Sequence, residues 1–205
     1  MSRDILVATT NQGKILELRA MLDEQARWLS LSDVGIDLDV EEDAPTFEGN
    51  AMKKAQVYAR ASGLWTLSDD SGLGVDALGG RPGVLSARFS GVQSDDRAVV
   101  DQSNNEKLLA LLENVPDPER TARFMCCICV ASPEEVLIES QGAVEGLIAR
   151  TPSGQGGFGY DPIFYLPRFE KTMAELDAPE KNAISHRGNA IRALKPLLRE
   201  QLKGG

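Results

Sequence analysis

Two adjacent acids, Asp69 and Asp70, follow a short apolar segment. Neighbouring carboxylates at the end of a strand repel each other and need a cation or hydrogen-bond donors to stay ionised. A second acidic cluster, residues 41–43, precedes a helical segment that carries Lys54. Glu42 and Asp70 could therefore hold a hard metal ion together with several waters, which is the coordination that Mg²⁺ prefers. Without a metal, the same acids would be solvated loop residues.

The turn at residues 9–14 joins a predicted strand to a predicted helix. The exposed amides and the positive end of a helix favour phosphate at such a turn, and Lys14 adds a point charge. The spacing is not that of a P-loop, because Ala8 stands five residues before Gly13 and Ile15 follows Lys14. Taken alone, the turn fits either a phosphate site or a capped turn with a surface lysine.

A glycine-rich segment at residues 154–159 has the Gly-x-Gly-x-x-Gly spacing of dinucleotide-binding proteins. That fingerprint must open a helix, whereas Pro162 lies three residues after the last glycine and removes hydrogen bonds that a helix needs there. We therefore predict a flexible loop that brings Phe158 and Asp161 to a ligand. A plain surface loop is the alternative.

The composition is that of an ordinary folded chain of 205 residues with a formal net charge of −9. This length predicts a single domain over residues 1–205, without a separable linker. An acidic surface disfavours nucleic acid, whose binding requires Lys and Arg to displace counterions. The longest apolar run, residues 124–131, is far shorter than the ~20 residues of a membrane-spanning helix. The apolar stretch near the N-terminus is also too short for a secretory signal, so we expect a cytoplasmic protein without a membrane partner.

Three cysteines, Cys126, Cys127 and Cys129, lie within that apolar run. A strand would place Cys127 and Cys129 on one face and Cys126 on the other, which is not the spacing of metal ligands. Because a free cysteine behaves as a small hydrophobic residue, we predict buried thiols. With a single histidine, His186, the chain lacks the ligands of a zinc site, and any metal should be held by oxygen.

Glycine and proline positions divide the chain into alternating strands and helices. The pattern predicts strands at residues 4–8, 65–68, 121–131 and 136–149, a continuation of the second strand at 73–75 after a kink, and helices at 14–22, 47–62, 104–112 and from His186 onward. Thr46 and Gly63 should cap the second helix, and Pro196 should kink or restart the last one. Strands that are separated by helices in one part and paired as a hairpin in another imply a mixed α/β sheet flanked by helices.

Five segments, in chain order, carry the polar residues described above. They read Thr9-x-Asn11-x-x-Lys14, Thr46-Phe47-Glu48-x-Asn50-Ala51-x-x-Lys54-Ala55, Ser68-Asp69-Asp70-Ser71-Gly72-Leu73, Gly157-Phe158-Gly159-Tyr160-Asp161-Pro162 and Ser185-His186-Arg187-Gly188, the last preceded by Lys181. Over nearly the whole chain they resemble the inosine triphosphate pyrophosphatase family. The resemblance implies Mg²⁺-dependent hydrolysis of ITP, dITP and XTP to the monophosphate and pyrophosphate, which cleanses the nucleotide pool. It also implies a homodimer and an elongated two-lobed α/β fold with the active site in the cleft between the lobes.

Carried over residue by residue, the resemblance assigns a role to each motif position. The triphosphate would be held by Thr9, Thr10, Asn11, Gln12, Gly13 and Lys14, with Ser71 also contacting substrate. Mg²⁺ would be bound by Glu42 and Asp70, phosphate oxygens would be neutralised by Lys54, and water would be oriented or deprotonated by Asp69 and Asp70, with the base between these two undecided. Phe158 would stack on the purine, and the other substrate-binding positions would be Gly159, Tyr160, Asp161, Lys181, His186 and Arg187. Arg187 would face the 6-keto oxygen, where adenine carries an amino group.

Two other functions remain open on the residues alone. A metal-dependent phosphatase or phosphotransferase could use Asp69 or Asp70 as a nucleophile, although such enzymes use Asp-x-Asp and these acids are adjacent. A non-catalytic nucleotide-binding module could use the same residues without hydrolysis.

Overall fold

Seven strands form one sheet in the computed structural model, which describes residues 2–22 and 26–204. The strands are β1 (Arg3–Val7), β2 (Ala26–Ser30), β3 (Trp65–Val75), β4 (Thr121–Ala131), β5 (Val136–Ile148), β6 (Phe164–Leu166) and β7 (Lys171–Thr172), in the order β2-β1-β3-β4-β5-β6-β7. β1 is parallel to β2 and β3, whereas β6 is antiparallel to β5 and β7. The predicted mixed α/β sheet is confirmed.

The main helices are α1 (Gln12–Met21), α2 (Phe47–Ser62), α3 (Arg97–Leu111), α4 (Ala178–Ile184) and α5 (His186–Gly204), and short 3-10 turns cover Asp76–Leu78, Gly83–Arg88, Asp117–Glu119, Asp161–Ile163 and Met173–Glu175. The capping prediction for α2 is confirmed, because Thr46 Oγ1 accepts from Gly49 N and Gly63 adopts a left-handed φ of 72°. α3 begins seven residues before the predicted start at 104, because Asp96 caps it by accepting from Ala98 N. The sequence analysis did not predict α4.

The predicted interruption of β3 is wrong, and the prediction for Pro196 is wrong in part. β3 runs unbroken from Trp65 to Val75, so Asp69 and Asp70 lie inside a strand and not at its end. A strand interior can hold both acids because alternate side chains leave opposite faces and each face here offers its own partners. α5 continues through Pro196, so the helix does not restart there, and the predicted kink stays a prediction. Its residues on both sides of the proline are held by buried packing, which outweighs the one lost hydrogen bond; these are Ala190, Ile191, Leu194 and Leu198.

The chain divides into two compact units, the first formed by Met1–Asp70, Cys126–Gly142 and His186–Gly205, and the second by Ser71–Met125 and Ala143–Ser185. The first unit is filled by side chains from β1, β3, β4 and α5, among them Ile5, Leu67, Ile128 and Leu194. Cys126, Cys127 and Cys129 are all buried, as predicted, and burial raises the pKa of the Cys126 and Cys129 thiols to about 12. These thiols therefore stay protonated and contribute packing.

The second unit has its own core, which includes Leu73, Leu108, Phe124 and Phe164. A buried arginine beside this core, Arg120, donates to the carbonyl oxygens of Leu112, Ile148 and Ala149 at 2.6–3.0 Å. These bonds tie the end of α3 to β5. Among the residues that the structure describes, no helix has the length and apolar character to span a membrane.

Gly142 allows β5 to approach the first turn of α5 within the first unit. A methyl group added there would lie 2.2 Å from the His186 carbonyl oxygen and 2.3 Å from Ala190 N. We expect Gly142→Ala to lower the free energy of unfolding by about 1–3 kcal/mol or more, because neither backbone can yield without moving the helix. Urea denaturation measures this change. The matched control is Gly74→Ala in β3, whose added methyl has its nearest contact at 3.4 Å; equal losses in the two variants would contradict the close-approach argument.

Candidate active site

Asp69 on β3 is a buried carboxylate that gathers the positive charges of the first unit. Asp69 is only 1% exposed, and its Oδ2 lies 3.0 Å from Lys14 Nζ. The same oxygen accepts from Arg187 Nε at 3.2 Å and Nη2 at 3.0 Å. Burial alone would raise the pKa of Asp69, but Lys14 and Arg187 outweigh it and hold this pKa well below its ordinary value. Asp69 therefore stays ionised and is a poor proton acceptor.

Arg187, in the first turn of α5, is 1% exposed and lies between two carboxylates. Besides Asp69, its guanidinium donates to Glu17 of α1. Burial opposes its charge, but these two acids raise the pKa of Arg187 above its ordinary value. In this structure the guanidinium is thus bound within the first unit. Its predicted contact with the 6-keto oxygen of a purine stays a prediction, as does the substrate contact of the adjacent, buried His186.

The turn between β1 and α1 exposes the start of a helix beside Lys14. Thr9 Oγ1 accepts from Asn11 N, and Asn11 Oδ1 caps α1 by accepting from Lys14 N, each at 3.2 Å. This cap explains why the helix begins at Gln12, two residues before the predicted start. The remaining positions of the turn are exposed or half-buried: Thr10, Gln12 and Gly13. A polar turn, a helix N-terminus and a lysine at one place are the elements of a phosphate site.

Lys54 of α2 is the second cation of this site and contacts both metal-ligand candidates. Its Nζ donates to Glu42 Oε1 and, at 2.8 Å, to the Asp69 carbonyl oxygen, and it lies 3.9 Å from Asp70 Oδ1. Burial lowers the Lys54 pKa, but the surrounding acids prevail and the pKa is raised, so this side chain stays an ammonium. Asn50, one turn earlier on α2, donates from Nδ2 to Asp70 Oδ2 at 2.9 Å.

Asp69 and Asp70 differ in their acid–base behaviour although they are neighbours. Burial raises the pKa of Asp70, and Lys54 and Lys14 only partly oppose that effect. A carboxylate with a raised pKa accepts a proton more readily than one whose pKa is depressed. Without a metal, Asp70 is therefore easier to protonate than Asp69; which of the two acts as the base stays a prediction.

The donor set around Lys54 fits a divalent cation. Glu42 and Asp70 both contact the Lys54 ammonium. The negative charge of Glu42 helps to raise the pKa of Asp70, because the two carboxylates repel each other. A cation would relieve this repulsion, and two carboxylates with water as the remaining ligands suit Mg²⁺. Residues 2–22 and 26–204 contain no cluster of three or more His, Cys, Asp or Glu side chains arranged to hold a metal.

The second unit joins an aromatic ring, an ammonium and a carboxylate. Asp161 is buried, and its Oδ2 accepts from Phe158 N at 2.8 Å and from Lys181 Nζ at 2.5 Å. Lys181 Nζ also lies 5.0 Å from the centre of the Phe158 ring, within the range of a cation–π contact. Gly157 is required here, because it has a φ of +75° and a Cβ would lie 2.0 Å from Asp161 Oδ2.

The other predicted substrate positions of the second unit have mixed surroundings. Ser71 is half-buried in β3, directly after Asp70. Tyr160 is buried and donates its hydroxyl to the Ser86 carbonyl oxygen at 2.9 Å. Burial raises the pKa of this phenol, so Tyr160 stays protonated and acts as a support. Gly159 is hydrogen-bonded on both sides of its peptide to α3.

Some polar side chains that contact the predicted site residues are not among the predicted site residues themselves. They include Glu17, Asn50, Asp101 and Asn105. Asn50 stands inside a quoted motif and Glu17 lies one turn after Lys14 on α1, so local spacing could have indicated both. Asp101 and Asn105 lie more than 50 residues from Gly159 along the chain, and no local signal connects them to it.

Comparisons with known proteins agree with these observations. The sequence model of the Ham1 family matches residues 5–197. A dITP/XTP pyrophosphatase of Geobacter sulfurreducens is 50% identical over 195 residues, covering 95% of this chain and 96% of that protein. The dITP/XTP pyrophosphatase of Bacillus subtilis is 45% identical over 197 residues, covering 96% and 97%. The solved structure of a HAM1 protein from Coxiella burnetii matches with a TM-score of 0.86 and 40% identity, over 98% of this chain and all of that one.

Asp69→Asn tests whether this carboxylate stabilises the first unit. The substitution leaves Arg187 buried with part of its charge uncompensated, so we expect a loss of about 3–5 kcal/mol in the free energy of unfolding. Because the pKa of Asp69 is lower in the folded chain than in the unfolded one, its contribution is present above pH ~4 and lost as the pH falls further. The difference between the variant and the wild type should therefore shrink in acid.

The measurement is urea denaturation at pH 7 and at decreasing pH. Asp4→Asn is the matched control, because Asp4 pairs with Arg27 on an exposed surface where such a pair contributes only about 0–1 kcal/mol. Similar losses for Asp69→Asn and Asp4→Asn would contradict the role given to the buried pair.

Proposed function

The chain belongs to the Ham1 family, and we propose that the residues described above form a Mg²⁺-dependent nucleoside triphosphate pyrophosphatase site. The protein is a hydrolase that converts non-standard purine nucleoside triphosphates such as ITP, dITP and XTP to the monophosphate and pyrophosphate. The observation that carries the site assignment is the position of Lys54, which contacts Glu42, Asp70 and the Asp69 carbonyl at once.

The first unit handles the phosphates in this proposal. The amides of the turn at residues 9–14 and the N-terminus of α1 bind phosphate oxygens, and Lys14 and Lys54 neutralise their charge. Lys14 is held by Asp69 at 3.0 Å, which orients the ammonium before substrate arrives. Phosphoryl transfer depends mainly on such positioning and charge neutralisation.

Glu42 and Asp70 hold Mg²⁺ in this proposal, and Asp70 accepts the proton of the attacking water. The metal would supply charge neutralisation at the phosphates and would make water easier to deprotonate. Water attacks the α-phosphorus, the bond between the α-phosphorus and the bridging oxygen breaks, and pyrophosphate leaves. Asn50 orients Asp70 through Oδ2, and Asp69, which stays ionised, positions Lys14 and takes no proton.

The second unit recognises the base in this proposal. Phe158 stacks on the purine, which is worth about 1–3 kcal/mol and tolerates different bases. Selectivity needs donors for the 6-keto oxygen, and we assign Lys181 to this role. Adenine places an amino group at the same position, and a donor facing a donor leaves both unpaired, which costs about 1–3 kcal/mol per group. Asp161 fixes the Phe158 backbone and Lys181.

We extend the proposal to a cytoplasmic homodimer that acts on small nucleotides and not on nucleic acid. The net charge of −9 supports the last part, because a polyanion would be repelled outside a locally cationic site. The homodimer rests on the family resemblance, and the cytoplasmic location stays an expectation from the sequence.

The proposed function is tested by the products that the protein releases from ITP, XTP, dITP, GTP and ATP. We expect Mg²⁺-dependent release of pyrophosphate from the first three and little from GTP or ATP, measured with separate detection of pyrophosphate and orthophosphate. Orthophosphate as the sole product would move the cleavage to the terminal phosphate. A trapped phosphoenzyme would support the phosphotransferase, and Mg²⁺-dependent binding without turnover would support the binding module.

Asp70→Asn removes the proton acceptor and one metal ligand while keeping the shape of the side chain. Loss of a general base typically lowers the rate by about 10²–10⁴-fold, and we expect a loss of kcat at or above that range. The matched control is Asp43→Asn, an exposed acid next to Glu42 that pairs with Lys53, which should leave kcat unchanged. Near wild-type turnover in Asp70→Asn, with both variants folded by circular dichroism, would rule out the mechanism.

A further inference from the structure

Helix α3 holds the Gly159 peptide through two side chains that lie one helical turn apart. Asp101 Oδ2 accepts from Gly159 N at 2.8 Å, and Asn105 Nδ2 donates to the Gly159 carbonyl oxygen at 3.0 Å. Residues four apart share one face of a helix, so Asp101 and Asn105 can bond to the N–H and the carbonyl oxygen of the same residue, Gly159. All of these groups belong to the second unit.

These two hydrogen bonds restrain the backbone next to Phe158. The Phe158 N–H donates to Asp161, and the next N–H along the chain, that of Gly159, donates to Asp101. The backbone of Phe158 is therefore fixed on both sides. Gly159 adopts a left-handed φ of 63°, where a residue with a Cβ would be strained, so the loop is shaped to present this peptide to α3. The position of the Phe158 ring follows from the position of its backbone.

α3 is itself a fixed platform. Asn104 accepts from Ser90 N at 2.7 Å through Oδ1 and donates from Nδ2 to the Ser86 carbonyl oxygen at 3.3 Å. Leu108, one turn later, is fully buried in the core of the second unit. Arg97 lies 2.9 Å from Asp101 Oδ1, which restrains the carboxylate from the other side. A displacement of the α3 backbone at Asp101 or Asn105 would therefore require the helix to leave its packing.

We propose that Asp101 and Asn105 are positioning residues for the base of the purine nucleotide. They do not touch the substrate; they set the place and orientation of Phe158, and so the affinity for the base but not for the phosphates. The proposal rests on the proposed function, in which Phe158 stacks on the purine. It adds α3, which carries none of the predicted site residues, to the elements that determine recognition.

The experiment compares Asp101→Ala and Asn105→Ala with the conservative variant Asp101→Asn, which retains an oxygen that can accept from Gly159 N. Gln102→Ala is the matched control, because Gln102 lies on the same helix, is exposed and donates to Glu106 on the same surface. Steady-state kinetics with ITP and pyrophosphate detection give kcat and KM. Calorimetric titrations with IMP and, separately, with inorganic pyrophosphate measure base-dependent and phosphate-dependent binding.

We expect KM for ITP and Kd for IMP to rise in both alanine variants by about 5- to 150-fold, the factor that corresponds to losing one base–aromatic stack. kcat and the Kd for pyrophosphate should stay within about twofold, because the phosphate residues belong to the other unit. Asp101→Asn should recover most of the affinity, and Gln102→Ala should behave as the wild type. A purely structural role would instead lower thermal stability and kcat without separating IMP from pyrophosphate.

Three results would overturn the proposal, and the measurements distinguish them. Wild-type turnover of ITP with unchanged KM and IMP affinity in Asp101→Ala and Asn105→Ala would overturn the positioning role alone. A wild-type protein that releases no pyrophosphate from ITP would overturn the proposed function and this inference with it. Equal losses of IMP and pyrophosphate affinity would also contradict the proposal, because they would indicate a general disturbance of the fold.

Discussion

The first unit depends on one buried negative charge, that of Asp69. A carboxylate taken out of water in a strand interior must be paired, and three helices supply its partners: α1 with Lys14, α5 with Arg187, and α2, whose Lys54 donates to the Asp69 carbonyl oxygen. These elements are consequently drawn to the same stretch of β3. The two lysines that we assign to phosphate binding are thereby held close to Asp70. Stability and function of this unit share a single electrostatic constraint.

That constraint gives two adjacent carboxylates opposite chemistry. The cations around Asp69 make it a permanent anion, whereas burial and the nearby charge of Glu42 make Asp70 the easier of the two to protonate. Asp69, which stays ionised, orients the nearby cations, whereas Asp70 is suited to bind a metal ion and to accept a proton. Two acids in equivalent surroundings would repel each other and would have the same pKa. The proposed hydrolysis requires different surroundings, because one acid must stay ionised and the other must accept a proton.

The second unit repeats the principle with Asp161. One oxygen of its buried carboxylate accepts hydrogen bonds from the Phe158 amide and the Lys181 ammonium. These bonds position both the aromatic residue and the cation that we propose for base recognition. Asp101 and Asn105 extend the arrangement by gripping the next peptide from α3. In both units a buried polar group is satisfied by the groups that the proposed function needs, so removing it would leave a buried partner unpaired.

The sequence predicted whatever depends on near neighbours. The bounds of α2 follow from a capping threonine and a terminating glycine, the cysteine-bearing strand follows from its apolar run, and the mixed sheet follows from the order of strands and helices. It did not predict that β3 passes unbroken through two acids, that Arg187 pairs with Glu17 at a separation of 170 residues, or that α3 grips Gly159. Capping and periodicity are short-range interactions that local spacing encodes, whereas compensation of a buried charge selects its partners by distance in space. Only the folded chain brings those partners within reach.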